Sequence, residues 1–225
     1  MPETTETTRR LRCALFVDFD NVYLGLRRLD PEAAAAFAGE PGHWLAALET
    51  VTDEDGDFSR RFLVRACYLN PSAFSQFRPN FTRAGFTVVD CPSLTQQGKS
   101  SADINLVLDA VDALAASTRY DEFVIVSADA DFTPLALRCR AADRRVTIVT
   151  ASPAASAYRA VADTVVTADQ LAELVRPPAV DDPAVADVAA VAPAQAPAAG
   201  PVPRTPARRA VLRMVRAADP PLNGG

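Results

Sequence analysis

The chain has 225 residues, 49% of them hydrophobic and 23% charged, with a net charge of −5. This is the balance of an ordinary folded protein of one or two domains. No apolar run reaches the 18 residues of a membrane span, and Met1–Thr8 lacks the apolar core of a secretory leader, so a cytoplasmic location is expected. Four dispersed cysteines (Cys13, Cys67, Cys91, Cys139) form no CxxC and read as small buried hydrophobes. The one histidine, His43, excludes histidine-rich metal sites and reads as structural. The acidic balance excludes a general nucleic-acid coat. Of 23 basic side chains 22 are arginine, which singles out Lys99.

Residues 11–19 are a short apolar run ending in acid, the signature of a buried strand. Helix is expected over 21–28, 33–37 and 44–51, with Pro31 and Pro41 near two of the starts. Thr52–Asp57 reads as a solvated acidic turn, since it lacks the spacing and closing Glu of a calcium loop. A second strand follows at 62–69, a helix from Asn70 to Arg83, and a third strand at 86–91. Beyond the polar loop 92–100, Ser101 is expected to cap a helix through Leu114. Its apolar positions are Ile104, Leu106, Val107, Leu108, Val111 and Leu114. Strands at 123–126, 145–150 and 164–166 then alternate with helices at 132–142, 158–162 and 168–175. Alternation of this kind predicts an α/β fold, a parallel sheet covered by helices on both faces.

Composition changes at Pro177. Residues 177–203 are an Ala/Pro-rich linker, and Thr205–Arg216 reads as a basic amphipathic helix with Thr205 as cap and Pro206 in its first turn. A helix alone makes no core, so residues 204–225 are expected to be an appendage or the start of a truncated module. The folded domain is placed at 11–175.

The acids fall where parallel sheets bind ligands, beyond the carboxyl ends of strands. Asp18 and Asp20 follow the first strand. Asp129 and Asp131 follow the fourth. Asp103 lies in the first turn of the helix after the third. If the first and fourth strands are neighbours, Asp18, Asp103 and Asp129 converge. Converging carboxylates repel, and a hard divalent cation, Mg²⁺ or Mn²⁺, is the usual resolution, suited to phosphoryl chemistry. Asp131 is either a site acid or a cap for the helix at Phe132. Asn21 either orients the site or caps its helix. Ser127 can bond a carboxylate or phosphate, and Lys99 can hold Asp103 or contact a substrate phosphate. Asp109 and Asp112 read as a solvated face. Gly98-Lys99-Ser100 is not a P-loop, because position 93 is Ser where the upstream glycine belongs.

Phe16-Val17-Asp18-Phe19-Asp20-Asn21, Lys99-Ser100-Ser101-Ala102-Asp103 and Ser127-Ala128-Asp129-Ala130-Asp131-Phe132 resemble, in order and spacing, the three motifs of NYN domains. These are the LabA-like branch of the PIN-like ribonucleases. The resemblance implies a three-layer α/β/α sandwich with strand order 3-2-1-4-5 and Mg²⁺- or Mn²⁺-dependent cleavage of RNA. It implies Asp18, Asp103 and Asp129 as metal-binding acids, with Asp131 and Asn21 in support. Asp20 stands where the family often has another residue, and Ala128 where many members have Gly. The segment from Thr205 resembles the opening of a LOTUS (OST-HTH) winged-helix module. The expected partner is RNA, with no membrane; homo-oligomerisation stays open. Arg138, Arg140, Arg144 and Arg145 are candidates to guide the substrate or are plain surface charges.

Two other readings compete. Asp18-Phe19-Asp20-Asn21-Val22 fits the DxDx[TV] start of haloacid-dehalogenase-type phosphatases, with Asp18 as nucleophile. That reading leaves little room for the family's flap and no role for Asp103. The third is a non-catalytic RNA- or protein-binding module.

Overall fold

The computed structural model describes residues 9–53, 56–93 and 101–177. The 94–100 loop with Lys99, the linker beyond 177 and the 204–225 helix lie outside the described residues.

Strands and helices alternate as the sequence predicts. The strands are β1 (Arg9–Asp18), β2 (Thr50–Asp53), β3 (Gly56–Leu69), β4 (Thr87–Asp90), β5 (Glu122–Val126), β6 (Arg145–Val149) and β7 (Thr164–Val166). They form one sheet in the order β2-β3-β1-β5-β6-β7, with β4 also paired to β3. All pairings are parallel except β2 with β3. Counting only the parallel strands gives the predicted 3-2-1-4-5, extended at its far edge by β7.

Alternation along each central strand builds the layers. Cys13, Leu15 and Val17 of β1, with Val124 and Val126 of β5, enter one core. Ala14 and Phe16, with Phe123 and Ile125, enter the other. The first core is closed by α1 (Phe19–Leu29), α2 (Pro31–Gly39), α3 (Pro41–Glu49), α5 (Arg78–Arg83) and α9 (Ala168–Val175). The second is closed by α6 (Ala102–Ala115), α7 (Thr133–Ala141) and α8 (Ser156–Ala160). The fold is therefore the expected α/β/α sandwich. Among the described residues no helix is long and apolar enough to cross a membrane.

His43 is structural: its Nε2 lies 2.9 Å from the Arg176 carbonyl, tying α3 to the end of α9. All four cysteines are free and buried. Gly25 of α1 is pressed against the chain after β6, where a Cβ would lie 2.7 Å from the Ala151 carbonyl oxygen.

Several local expectations change. The strands on either side of the acidic turn pair with one another: β2 runs antiparallel to the start of β3, Asp53 opposite Gly56. The helix expected over 70–83 is broken into α4 (Pro71–Phe74), a 3₁₀ turn and α5, with Pro79 restarting the second piece. Ser101 precedes α6 without a side-chain cap bond; its Oγ instead accepts from Asn105 Nδ2 at 3.2 Å. The buried line of α6 runs through Ala102, Leu106 and Ala110, a strict i, i+4 stripe. Ile104 and Leu108 are exposed, because small residues bring this helix against the sheet. Asp109 is not merely solvated: it accepts from the buried Tyr68 hydroxyl at 2.7 Å.

Candidate active site at the carboxyl edge of the sheet

Because β1 and β5 are adjacent and parallel, their carboxyl ends open on the same side. Asp18 is the last residue of β1 and the N-cap of α1. Only 4% exposed, it is the most enclosed acid of the three motifs. Its Oδ1 accepts from the Asn21 amide at 3.4 Å and its Oδ2 from Ser127 Oγ at 3.0 Å. Capping is thus done by Asp18, which frees the Asn21 side chain for another task. Asn21 Oδ1 accepts from the Ala128 amide at 3.1 Å and stitches α1 to the loop after β5.

Ser127 is fully buried and works in two directions. It donates to Asp18 and accepts from the Asp129 amide at 3.2 Å. Asp129 then caps the 3₁₀ turn 130–132, its Oδ1 accepting from the Asp131 amide at 2.9 Å. So the cap role considered for Asp131 belongs to Asp129, and Asp131 itself is exposed.

Asp20 is half-buried, and its Oδ1 accepts from the Asn70 amide at 3.1 Å, linking α1 to the end of β3. Asp103 sits in the first turn of α6. Its charge reaches both Asp18 and Asp20, which places it in the same electrostatic neighbourhood. Burial pushes the Asp18 carboxyl up to about 7; Ser127 and the Asn21 amide oppose the shift, while the Asp103 and Asp20 charges add to it. Asp20 is raised by burial and by Asp103, against the pull of the Asn70 amide.

The structure therefore brings Asp18, Asp20, Asn21, Asp103, Ser127 and Asp129 to one edge, with Asp131 beside them on the surface. Asn70 was missed in the sequence, since its part is played by a backbone amide, which carries no side-chain signal. Tyr158 of α8 was missed too. It is fully buried, its hydroxyl has no hydrogen-bond partner, and the Asp129 and Asp18 charges act on it.

The donors at this edge are carboxylate and hydroxyl oxygens, the set preferred by a hard cation rather than a soft one. Among the described residues no three His, Cys, Asp or Glu side chains stand close enough to grip an ion unaided. The unfavourable charge on Asp18 is what such an ion would relieve.

Of the arginines considered as substrate guides, Arg140, Arg144 and Arg145 lie at the opposite edge. Arg145 opens β6 opposite Glu122, the first residue of β5. With Arg9, Arg119, Arg140 and Arg144 it lines a cavity of about 390 Å³ at the amino edge. Arg119 pairs with Asp143, and Arg140 donates to the Val161 carbonyl. Five-residue strands separate the two edges by roughly 13 Å.

A family model for the NYN domain matches residues 12–170. No characterised protein compared with the chain matches it. The chain is similar to the crystal structure of a protein of unknown function from Vibrio parahaemolyticus. Identity is 21%, the match covers 74% of this chain and 98% of that one, and the TM-score is 0.54, a likeness of fold alone.

Proposed function

Because the chain belongs to the NYN domain family, within the PIN-like nuclease superfamily, we propose that it is a metal-dependent ribonuclease acting at the Asp18 edge. The observation that carries this reading is Asp18 itself. It is a carboxylate buried at the end of a central strand, braced by Ser127, crowded by Asp20 and Asp103, and raised to about 7. A fold concentrates uncompensated acid in this way where a ligand of opposite charge completes the site.

PIN-like nucleases generally use divalent metals, and Asp18, Asp103 and Asp129 would hold Mg²⁺ or Mn²⁺ here. A bound ion of this kind neutralises charge on a phosphodiester and makes water a competent nucleophile near neutral pH. The chain's own residues supply position. Ser127 fixes Oδ2 of Asp18 and the amide of Asp129 together, so the backbone after β5 is tied to the acid that ends β1. Asn21 holds the 127–129 loop against α1. Asp131 lies beside Asp129 in support. Lys99 contacts substrate phosphate, while the phosphate contact considered for Ser127 gives way to its buried bonds to Asp18 and the Asp129 amide. The products are 5′-phosphate and 3′-hydroxyl ends, as the family resemblance implies. The RNA partner and a cytoplasmic site of action belong to the same reading.

The phosphatase reading loses ground. α1 begins at Phe19, directly after Asp18, leaving no insertion for a flap, and Asp20 is engaged by the Asn70 amide. The test is RNA cleavage by wild type and Asp129→Asn, side by side, with Mn²⁺ or Mg²⁺ and with EDTA. Metal-dependent cleavage lost in the variant is expected. Cleavage that survives the substitution places the activity elsewhere. Inactivity of both proteins over a wide enzyme range favours a binding module.

A further inference from the structure

Tyr158 presents a hydroxyl for which the packing has no use. It lies on the single-turn helix α8, among Phe132, Leu135 and Ile148 in the second core, and is fully buried. A phenylalanine would fill the same space. The hydroxyl oxygen is closed to solvent and has no hydrogen-bond partner. A buried donor left unmade is costly and is rare in folded proteins outside sites of function.

Its surroundings indicate what it is for. α8 packs on the 130–132 turn, the turn that Asp129 caps. Burial, and then the charges of Asp129 and Asp18, make the phenol a weaker acid, so its proton stays on and its O–H remains a donor. Asp18 has both oxygens engaged, by the Asn21 amide and by Ser127. Of Asp129, Oδ1 accepts from the Asp131 amide. Among the described residues its Oδ2 receives no hydrogen bond.

We propose that Tyr158 is a positioning residue of the acid site, its hydroxyl being the donor that fixes Oδ2 of Asp129 when that carboxylate turns to hold a divalent cation. The inference rests on the metal-dependent reading above, and on cleavage of RNA only through its kinetic consequence. The geometry assigns the role to the hydroxyl alone, not to the ring.

Tyr158→Phe in the full chain tests it, by Mn²⁺ titration calorimetry and by RNA cleavage kinetics. A melting curve without metal provides the folding control. Loss of an unpartnered hydroxyl leaves the metal-free Tm unchanged or higher. The expected result is Mn²⁺ affinity about tenfold weaker and kcat lower by a similar factor, with KM for RNA unchanged. A variant that binds Mn²⁺ and turns over like wild type overturns the proposal, as does a wild type that binds no Mn²⁺. If wild type binds Mn²⁺ but cleaves no RNA, the nuclease reading falls, and Tyr158 is judged on the calorimetry: tenfold weaker binding upholds it and equal binding overturns it.

Discussion

The two edges of one sheet treat buried charge in opposite ways. At the amino edge Glu122, fully buried, receives Arg60 Nε at 2.7 Å and a second guanidinium nitrogen at 2.8 Å. Thr147 Oγ1 adds a bond at 2.6 Å, and Arg60 also reaches the Leu48 carbonyl. Burial would raise the Glu122 carboxyl, yet Arg60, with Thr147 and Cys13, outweighs it and holds the group below its usual range. At the carboxyl edge Asp18 is almost as enclosed, but its named partners are a hydroxyl and an amide, and its carboxyl goes up. Burial therefore does not decide the state of a carboxylate. What decides it is whether the fold supplies the counter-charge or leaves that to a ligand.

The contrast is broken most forcefully at Arg60. Arg60→Ala strips buried Glu122 of its two-bond counter-charge, leaving Thr147, Cys13 and the more distant Arg145 guanidinium, and urea denaturation is expected to show a loss of about 3–5 kcal/mol. Replacing both partners, Arg60→Met with Glu122→Leu, should restore most of that stability or exceed it. At the other edge the sign reverses. Asp18 goes from an ordinary 3.8 to about 7 in the fold, so its contribution is fully present below pH 4 and is lost as pH rises through 7. Asp18→Asn should therefore match wild type near pH 4 and exceed it at pH 8 by on the order of 2–4 kcal/mol, read as a flatter stability–pH curve. It should lose activity at the same time. Tyr68→Phe gives the smallest effect and sharpens the comparison within one edge. Tyr68 pairs with Asp18 across β3 and β1, but its hydroxyl is answered by Asp109. Its removal should cost about 1 kcal/mol in thermal unfolding.

What could be read in advance follows from the range of the forces. Strand positions were legible because parallel strands buried on both faces are continuous apolar runs, as in Cys13–Val17 and Phe123–Val126. The acids were legible because their motifs place them at strand ends. The Arg60–Glu122 pair was not. A charge in a strand reads as exposed until a partner 62 residues away in sequence is known. Tyr158 was hidden for the same reason, since its relation to Asp129 exists only through the packing of α8. The exposure of Ile104 and Leu108 was concealed by a periodicity that large side chains suggest and Ala102 and Ala110 override.

Gly25 acquires a larger meaning from this arrangement. It presses α1, which carries Asp20 and Asn21, against Ala151, on the stretch of chain that leads to Tyr158. The absent side chain acts as a gauge block, setting how far the first third of the domain stands from the last. A single methyl at that position would disturb the elements that carry Asp20, Asn21 and Tyr158 at once, although it touches none of the three. Tolerance to substitution in this domain is thus governed by which surfaces must meet, and a residue with no chemistry of its own can be as constrained as an acid.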